Sequence, residues 1–194
     1  MAERRLRKKQ LILNWPNALA FSRVLMSPLM LYVMLTPELF TDAGFHVSWV
    51  SFTAAFIFTV ASITDFFDGY IARELDQITP VGKILDPLAD KMLTFAAFFG
   101  LMMTDQASVW AIYIIVVREL FISGLRTVAV QQGLDVASSW SGKVKTVIQM
   151  FAIGFLLMGW WGGEILLWLA VAATLYSGLE YTAGYAKNAL KATA

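Results

Sequence analysis

The chain has 194 residues, of which 58% are hydrophobic and 14% aromatic, with a mean hydropathy of +0.64 and a net charge of +1. An apolar share this far above that of soluble domains excludes a water-soluble globular protein and points to an integral membrane protein. The absence of cysteine excludes disulfides and thiolate catalysis, although it assigns no compartment. No nucleic-acid partner is expected.

The chain opens on a basic segment, residues 1–16, in which Arg4, Arg5, Arg7, Lys8 and Lys9 cluster. It lacks the order of a cleaved signal peptide, because Asn14 and Pro16 interrupt the early apolar run. It is expected to lie on the anionic inner leaflet, where each nearby cation contributes roughly 1 kcal/mol. Six apolar stretches follow that approach the length of a membrane span: Ala18 to Leu35, Trp49 to Thr64, Leu85 to Met103, Val109 to Leu125, Thr146 to Gly159 and Ile165 to Gly184. The second and fifth are short but extend into polar flanks expected to be helical, the second through Asp65 and Asp68 toward Arg73.

Basic residues alternate with these spans. Arg73, Lys83 and Lys91 surround the loop between spans two and three, Lys143 and Lys145 precede span five, and Lys187 and Lys191 follow span six. The loops Thr36 to Ser48, Thr104 to Ser108 and Trp160 to Glu164 contain neither Lys nor Arg. The positive-inside rule then puts both termini in the cytoplasm. The expected fold is an all-α integral membrane protein, a six-helix transmembrane bundle forming a single domain over residues 1–194. Trp15, Trp49, Trp110, Trp140, Trp160 and Trp161 stand near span ends as interface anchors. Gly159 and Gly163 have the spacing of a small-residue helix contact. His46, the single histidine, reads as a surface residue of an outer loop.

The chemistry concentrates between Asp65 and Asp90, in D-F-F-D-G-Y-I-A-R-E-L-D-Q-I-T-P-V-G-K-I-L-D-P-L-A-D. Asp65 and Asp68 are three residues apart and Asp86 and Asp90 four apart, so each pair shares one face of a helix. Four carboxylates close together cannot all stay ionised without cations. All-oxygen ligands favour Mg²⁺, Mn²⁺ or Ca²⁺ over zinc. Gly69 and Gly82 leave room for a bulky ligand, and Arg73 offers a forked cation to a phosphate. Together these residues describe a phosphoryl-transfer site, where catalysis is mostly positioning and charge neutralisation.

The pattern D-x-x-D-G-x-x-A-R, eight residues, then G-x-x-x-D-x-x-x-D resembles the motif of the CDP-alcohol phosphatidyltransferases. It matches at Asp65, Asp68, Gly69, Ala72, Arg73, Gly82, Asp86 and Asp90. The resemblance implies transfer of a phosphatidyl or similar group from a CDP-linked donor to an alcohol, with release of CMP. It also implies two divalent cations, Mg or Mn, held by Asp65, Asp68, Asp86 and Asp90, with Asp90 as base toward the acceptor hydroxyl. Asp68, Gly69, Ala72, Arg73 and Gly82 would hold the CDP group. A homodimer in the bacterial cytoplasmic (inner) membrane, with its site facing the cytoplasm, is a further expectation of the family.

The acceptor must be argued from other residues. Arg118 follows an uninterrupted apolar run, where a charge is costly unless it faces the bundle interior. Arg126, Lys143 and Lys145 fall on the same side of the membrane by the positive-inside reading. These four cations, beyond those needed for CDP, suggest an acceptor that is itself a phosphate. Adjacent helical residues do not face each other, which argues against a simple Arg118–Glu119 pair. Lys143 and Lys145 would likewise point apart on a regular helix, so both can serve only if Lys143 precedes it. The segments P-N-A-L-A-F-S-R, R-E-L-F-I-S-G-L-R and S-W-S-G-K-V-K-T-V-I-Q-M resemble the bacterial phosphatidylglycerophosphate synthase branch of the family. That likeness implies CDP-diacylglycerol and sn-glycerol 3-phosphate as substrates, with Asn17 and Arg23 as weaker site candidates. The alternatives are the same chemistry with serine, an inositol phosphate or phosphatidylglycerol as acceptor, a small ion-coupled transporter using the aspartates as a relay, and a structural adaptor.

Overall fold

The computed structural model describes residues 15–74, 82–133 and 139–193, with their side chains apart from those of 15–17, 65–74, 82–87, 90 and 191–193. All regular structure among the described residues is helical. The chain divides by its packing into two compact units, Met1–Thr104 and Asp105–Ala194.

The first unit contains α1 (Trp15–Leu35), the short α2 (Glu38–Thr41), α3 (Ser48–Glu74) and α4 (Gly82–Met103), with α1 packed against both α3 and α4. Pro16 sits at the first turn of α1, where its missing N–H costs nothing. Ala20, Arg23, Ser27, Met30 and Met34 of α1 are buried and recur at alternating intervals of three and four, the period that keeps a stripe on one helix face. Facing elements answer with small residues: Ala54 and Ala61 of α3 and Ala89 and Ala97 of α4 are all fully buried. In a membrane, where lipid is as apolar as leucine, association depends on such close backbone approach rather than on exclusion of water. Ser27 Oγ is satisfied within its own helix, donating to the Arg23 carbonyl at 2.9 Å.

The second unit contains α5 (Val109–Gln131), α6 (Trp140–Leu157) and α7 (Gly163–Thr193), with α7 packed against both α5 and α6. Ser139 caps α6 by accepting from the Gly142 N–H at 3.3 Å. Gly159, at φ +64°, ends the same helix in the left-handed conformation that glycine adopts without strain. The Gly159 N–H then donates to Leu156 and the Trp160 N–H to Phe155, and the Phe155 and Trp160 rings meet at 5.2 Å. The Gly159 and Gly163 spacing therefore builds a turn: one glycine closes α6 and the other opens α7, so they share no helix face.

All six apolar stretches lie on helices, and α3 does continue through its polar flank to Glu74. The fifth ends two residues earlier than the hydropathy suggested, at Leu157, because Gly159 must leave the helix. Among the described residues, two helices, Ala18–Leu35 and Gly163–Leu190, are long and apolar enough to cross a membrane, and Ser48–Thr64 and Lys91–Met103 are shorter apolar helices. The distribution of polarity inverts that of a soluble protein. Phe21, Leu25, Leu29 and Tyr32 are all more than half exposed on α1, while Arg23 and Lys145 are buried. Such an apolar exterior belongs in lipid. His46 is exposed, with Nδ1 2.7 Å from Ser48 Oγ.

Phe98 is fully buried in the first unit, whereas Phe56 is 69% exposed. Phe98→Ala is expected to lose about 3 kcal/mol of stability through the cavity it leaves. Phe56→Ala should leave the midpoint of thermal unfolding in detergent nearly unchanged. Equal midpoints for the two variants would contradict this packing.

Candidate active site

The acidic motif falls on two helices of the first unit. Asp65, Asp68, Gly69, Ala72 and Arg73 occupy the last turns of α3, and Gly82, Asp86 and Asp90 the first turns of α4. The helical backbone thus supplies the three- and four-residue registers that the sequence reading required of the two carboxylate pairs. The side chains of all these residues lie outside the described set. Among the described residues, no group of three or more His, Cys, Asp or Glu is placed to hold a metal. The donor chemistry of the motif suits a hard divalent cation, being carboxylate only. The single histidine stands just before α3, at the end opposite Asp65, and the helix from Ser48 to Asp65 alone spans about 26 Å.

Of the two weaker candidates, Asn17 has its side chain outside the described set, and Arg23 is fully buried on the inward stripe of α1. A guanidinium in that position is costly in an apolar bundle unless it is partnered.

A second cluster forms in the other unit, where Arg118 lies between the buried Ile115 and Ile122 on the inward stripe of α5. Its Nη1 donates to Glu119 Oε1 at 3.1 Å and its Nη2 to Ser177 Oγ of α7 at 2.8 Å. Lys145 Nζ, from α6, pairs with the same Glu119 oxygen. Ser177 Oγ donates to the Thr174 carbonyl at 3.1 Å, and Gln149 Nε2 to Thr174 Oγ1 at 2.9 Å. Gly178 completes the seat, since a Cβ there would lie only 3.0 Å from Arg118 Nε. One Glu119 oxygen thus meets two cations, the buried Lys145 and the largely buried Arg118.

Here the geometry corrects the expectation that Arg118 and Glu119, as neighbours, would not pair. Both side chains are long, and Glu119 is also drawn toward Lys145, so the carboxylate reaches a point that Arg118 can reach as well. Lys143 and Lys145 do separate. Helix α6 begins at Trp140, so Lys143 is within it and exposed while Lys145 is buried, and the condition for both to serve is not met. Arg126 is exposed, its guanidinium carbon 5.7 Å from the ring centroid of Tyr181. Glu119 as a shared counter-ion and the Gln149, Thr174 and Ser177 chain were not anticipated. The one signal in the sequence was polar residues recurring at helical spacing within apolar α6 and α7.

The model of the CDP-alcohol phosphatidyltransferase family matches residues 13–176. The chain belongs to this family. A CDP-diacylglycerol–glycerol-3-phosphate 3-phosphatidyltransferase of Bacillus subtilis is 37% identical over 186 residues, covering 90% of this chain and 95% of the relative. Proteins of the same name from Rickettsia felis and Escherichia coli are 35% and 37% identical, covering 87% of this chain and 93% and 92% of theirs. The family match of this CDP-alcohol phosphatidyltransferase runs through both units and takes in the aspartate motif and Arg118, Glu119, Lys145, Gln149 and Thr174 of the second cluster, ending just before Ser177.

Glu119→Ala leaves two buried cations without their shared carboxylate and is expected to cost about 3 kcal/mol. Lys143→Ala, at an exposed position, should fall within about 0.5 kcal/mol of the parent. Thermal unfolding of the two variants in one detergent checks this, and similar midpoints would show that the ion-pair centre contributes little.

Proposed function

We propose that this phosphatidyltransferase moves the phosphatidyl group of CDP-diacylglycerol onto sn-glycerol 3-phosphate, giving phosphatidylglycerol phosphate and CMP. The observation that carries the acceptor assignment is the pair of cations, Arg118 and Lys145, drawn together on one Glu119 oxygen in an apolar bundle. Two cations converging in an apolar bundle suit a dianionic acceptor and give nothing to a neutral alcohol. The shared name of the bacterial relatives supports the same reading.

Asp65, Asp68, Asp86 and Asp90 would hold two divalent cations, Mg²⁺ or Mn²⁺. Bound there, they would supply neutralisation of the donor diphosphate and of the charge on departing CMP. Asp68, Gly69, Ala72, Arg73 and Gly82 bind the CDP group, with Arg73 offering two parallel donors to a phosphate. Arg118 and Lys145 hold the acceptor phosphate, Arg126 adds charge from the rim, and Lys143, exposed, steers the anion more than it binds it. Asp90 accepts the proton of the acceptor hydroxyl. That oxygen bonds to the lipid-side phosphorus of the donor as the bond from phosphorus to the CMP oxygen breaks.

The alternation of loops rich in Lys and Arg with loops that have neither supports six spans with both termini cytoplasmic and the site at the inner leaflet of a bacterial cytoplasmic membrane. The family match through both units supports reading residues 1–194 as one functional domain. A homodimer is part of the same proposal.

CMP release by purified protein from CDP-diacylglycerol tests this. It should require glycerol 3-phosphate, stop with Asp90→Asn, and disappear on chelation until Mg²⁺ or Mn²⁺ is restored. Arg118→Ala and Lys145→Ala should each raise KM for glycerol 3-phosphate at least about tenfold, the size expected for losing a charged hydrogen bond. Release supported instead by serine or an inositol phosphate would keep the aspartate site and overturn the acceptor assignment.

A further inference from the structure

Thr174, Ser177, Gly178 and Tyr181 of α7 are all buried, and their spacing places them along one helix face. The first three have evident employment: Thr174 and Ser177 are hydrogen-bonded, and Gly178 admits the Arg118 side chain. Tyr181 differs. It is 5% exposed, yet its hydroxyl has no hydrogen-bond partner. Arg118 Nε is likewise buried and without a partner.

Buried polar atoms are normally satisfied, because desolvating them without a new bond is unfavourable. Arginine nitrogens donate only, and a phenol hydroxyl can donate, so both atoms call for acceptor oxygens. Tyr181 stands one turn beyond Ser177, about 6 Å along the axis. The contacts between α5 and α7 advance in the same direction along both helices, from Arg118 with Ser177, through Arg126 with Tyr181, to Gln132 with Tyr185. The Tyr181 ring therefore sits between two guanidinium groups, beside Arg126 and one turn from Arg118. Two guanidinium groups with donors to spare and a dry hydroxyl together complement an anion with several acceptor oxygens.

We propose that Tyr181 is an acceptor-binding residue, whose hydroxyl donates to the phosphate of glycerol 3-phosphate between Arg118 and Arg126. The inference rests on the acceptor reading above and deepens it. The stripe on α7 is then a specificity wall that selects a phosphorylated alcohol.

Tyr181→Phe removes the hydroxyl and keeps the ring under Arg126. Full-length protein in detergent is assayed for KM toward each substrate, and its thermal midpoint is measured without substrate. KM for glycerol 3-phosphate should rise roughly tenfold while KM for CDP-diacylglycerol changes by less than about twofold. The midpoint should hold or rise, because the variant loses an unsatisfied buried group. Unchanged KM for glycerol 3-phosphate overturns the inference, as does a parallel rise in both KM values with a lower midpoint, which marks a purely structural tyrosine. Parent activity that does not depend on glycerol 3-phosphate overturns the acceptor reading and this inference with it, whereas a parent dependence untouched by Tyr181→Phe overturns this inference alone.

Discussion

Charge inside an apolar bundle has to be met by charge or by hydrogen bonds, and in the second unit that requirement is satisfied at Glu119. Its one oxygen takes Arg118 from its own helix and Lys145 from α6, while Arg118 reaches on to Ser177 of α7. Three helices otherwise surrounded by leucine, isoleucine and alanine are thereby held in one register, because sliding any of them would leave a buried ion unpaired. The polar chain from Ser177 through Thr174 to Gln149 extends the same constraint along α6 and α7.

The first unit solves a different problem. Its core is built of alanines where α1 meets α3 and α4, so the backbones approach closely, and Arg23 is admitted to that core. Close approach gives α3 and α4 a common support in α1. That support matters for the motif, because Asp65 and Asp68 end one of these helices and Asp86 and Asp90 begin the other. Two helix ends on a common support suit phosphoryl transfer, which asks little of the protein beyond charge and position.

The two clusters divide the electrostatic work by sign. In the proposed function, the motif carboxylates on the α3 and α4 ends would hold divalent cations and, through them, a diphosphate. The Arg118 cluster brings two cations together on one carboxylate, and in the proposed function they would meet an anionic acceptor. A family whose members share the donor but differ in acceptor would be expected to keep the first arrangement and vary the second, since acceptors differ in charge while the CMP leaving group does not.

The aspartate motif was legible in the sequence because its geometry is local: spacings of three and four residues acquire meaning once the segment is helical, and α3 and α4 are helical there. The six apolar stretches were legible for the same reason, with hydropathy read along one chain direction, and even the early end of α6 traces to a local cause in Gly159. Which face meets which was not legible. Arg118 and Ser177 are 59 residues apart, Gln149 and Thr174 25 apart, and no local rule says that they touch. The choice between Lys143 and Lys145, the Arg118–Glu119 pairing, and the dry hydroxyl of Tyr181 all depend on how α5, α6 and α7 rotate about their axes. Sequence alone determined the chemistry available and the helices that bear it. Packing decided which charges are buried together, because burial, unlike helicity, is a property of contacts between distant segments.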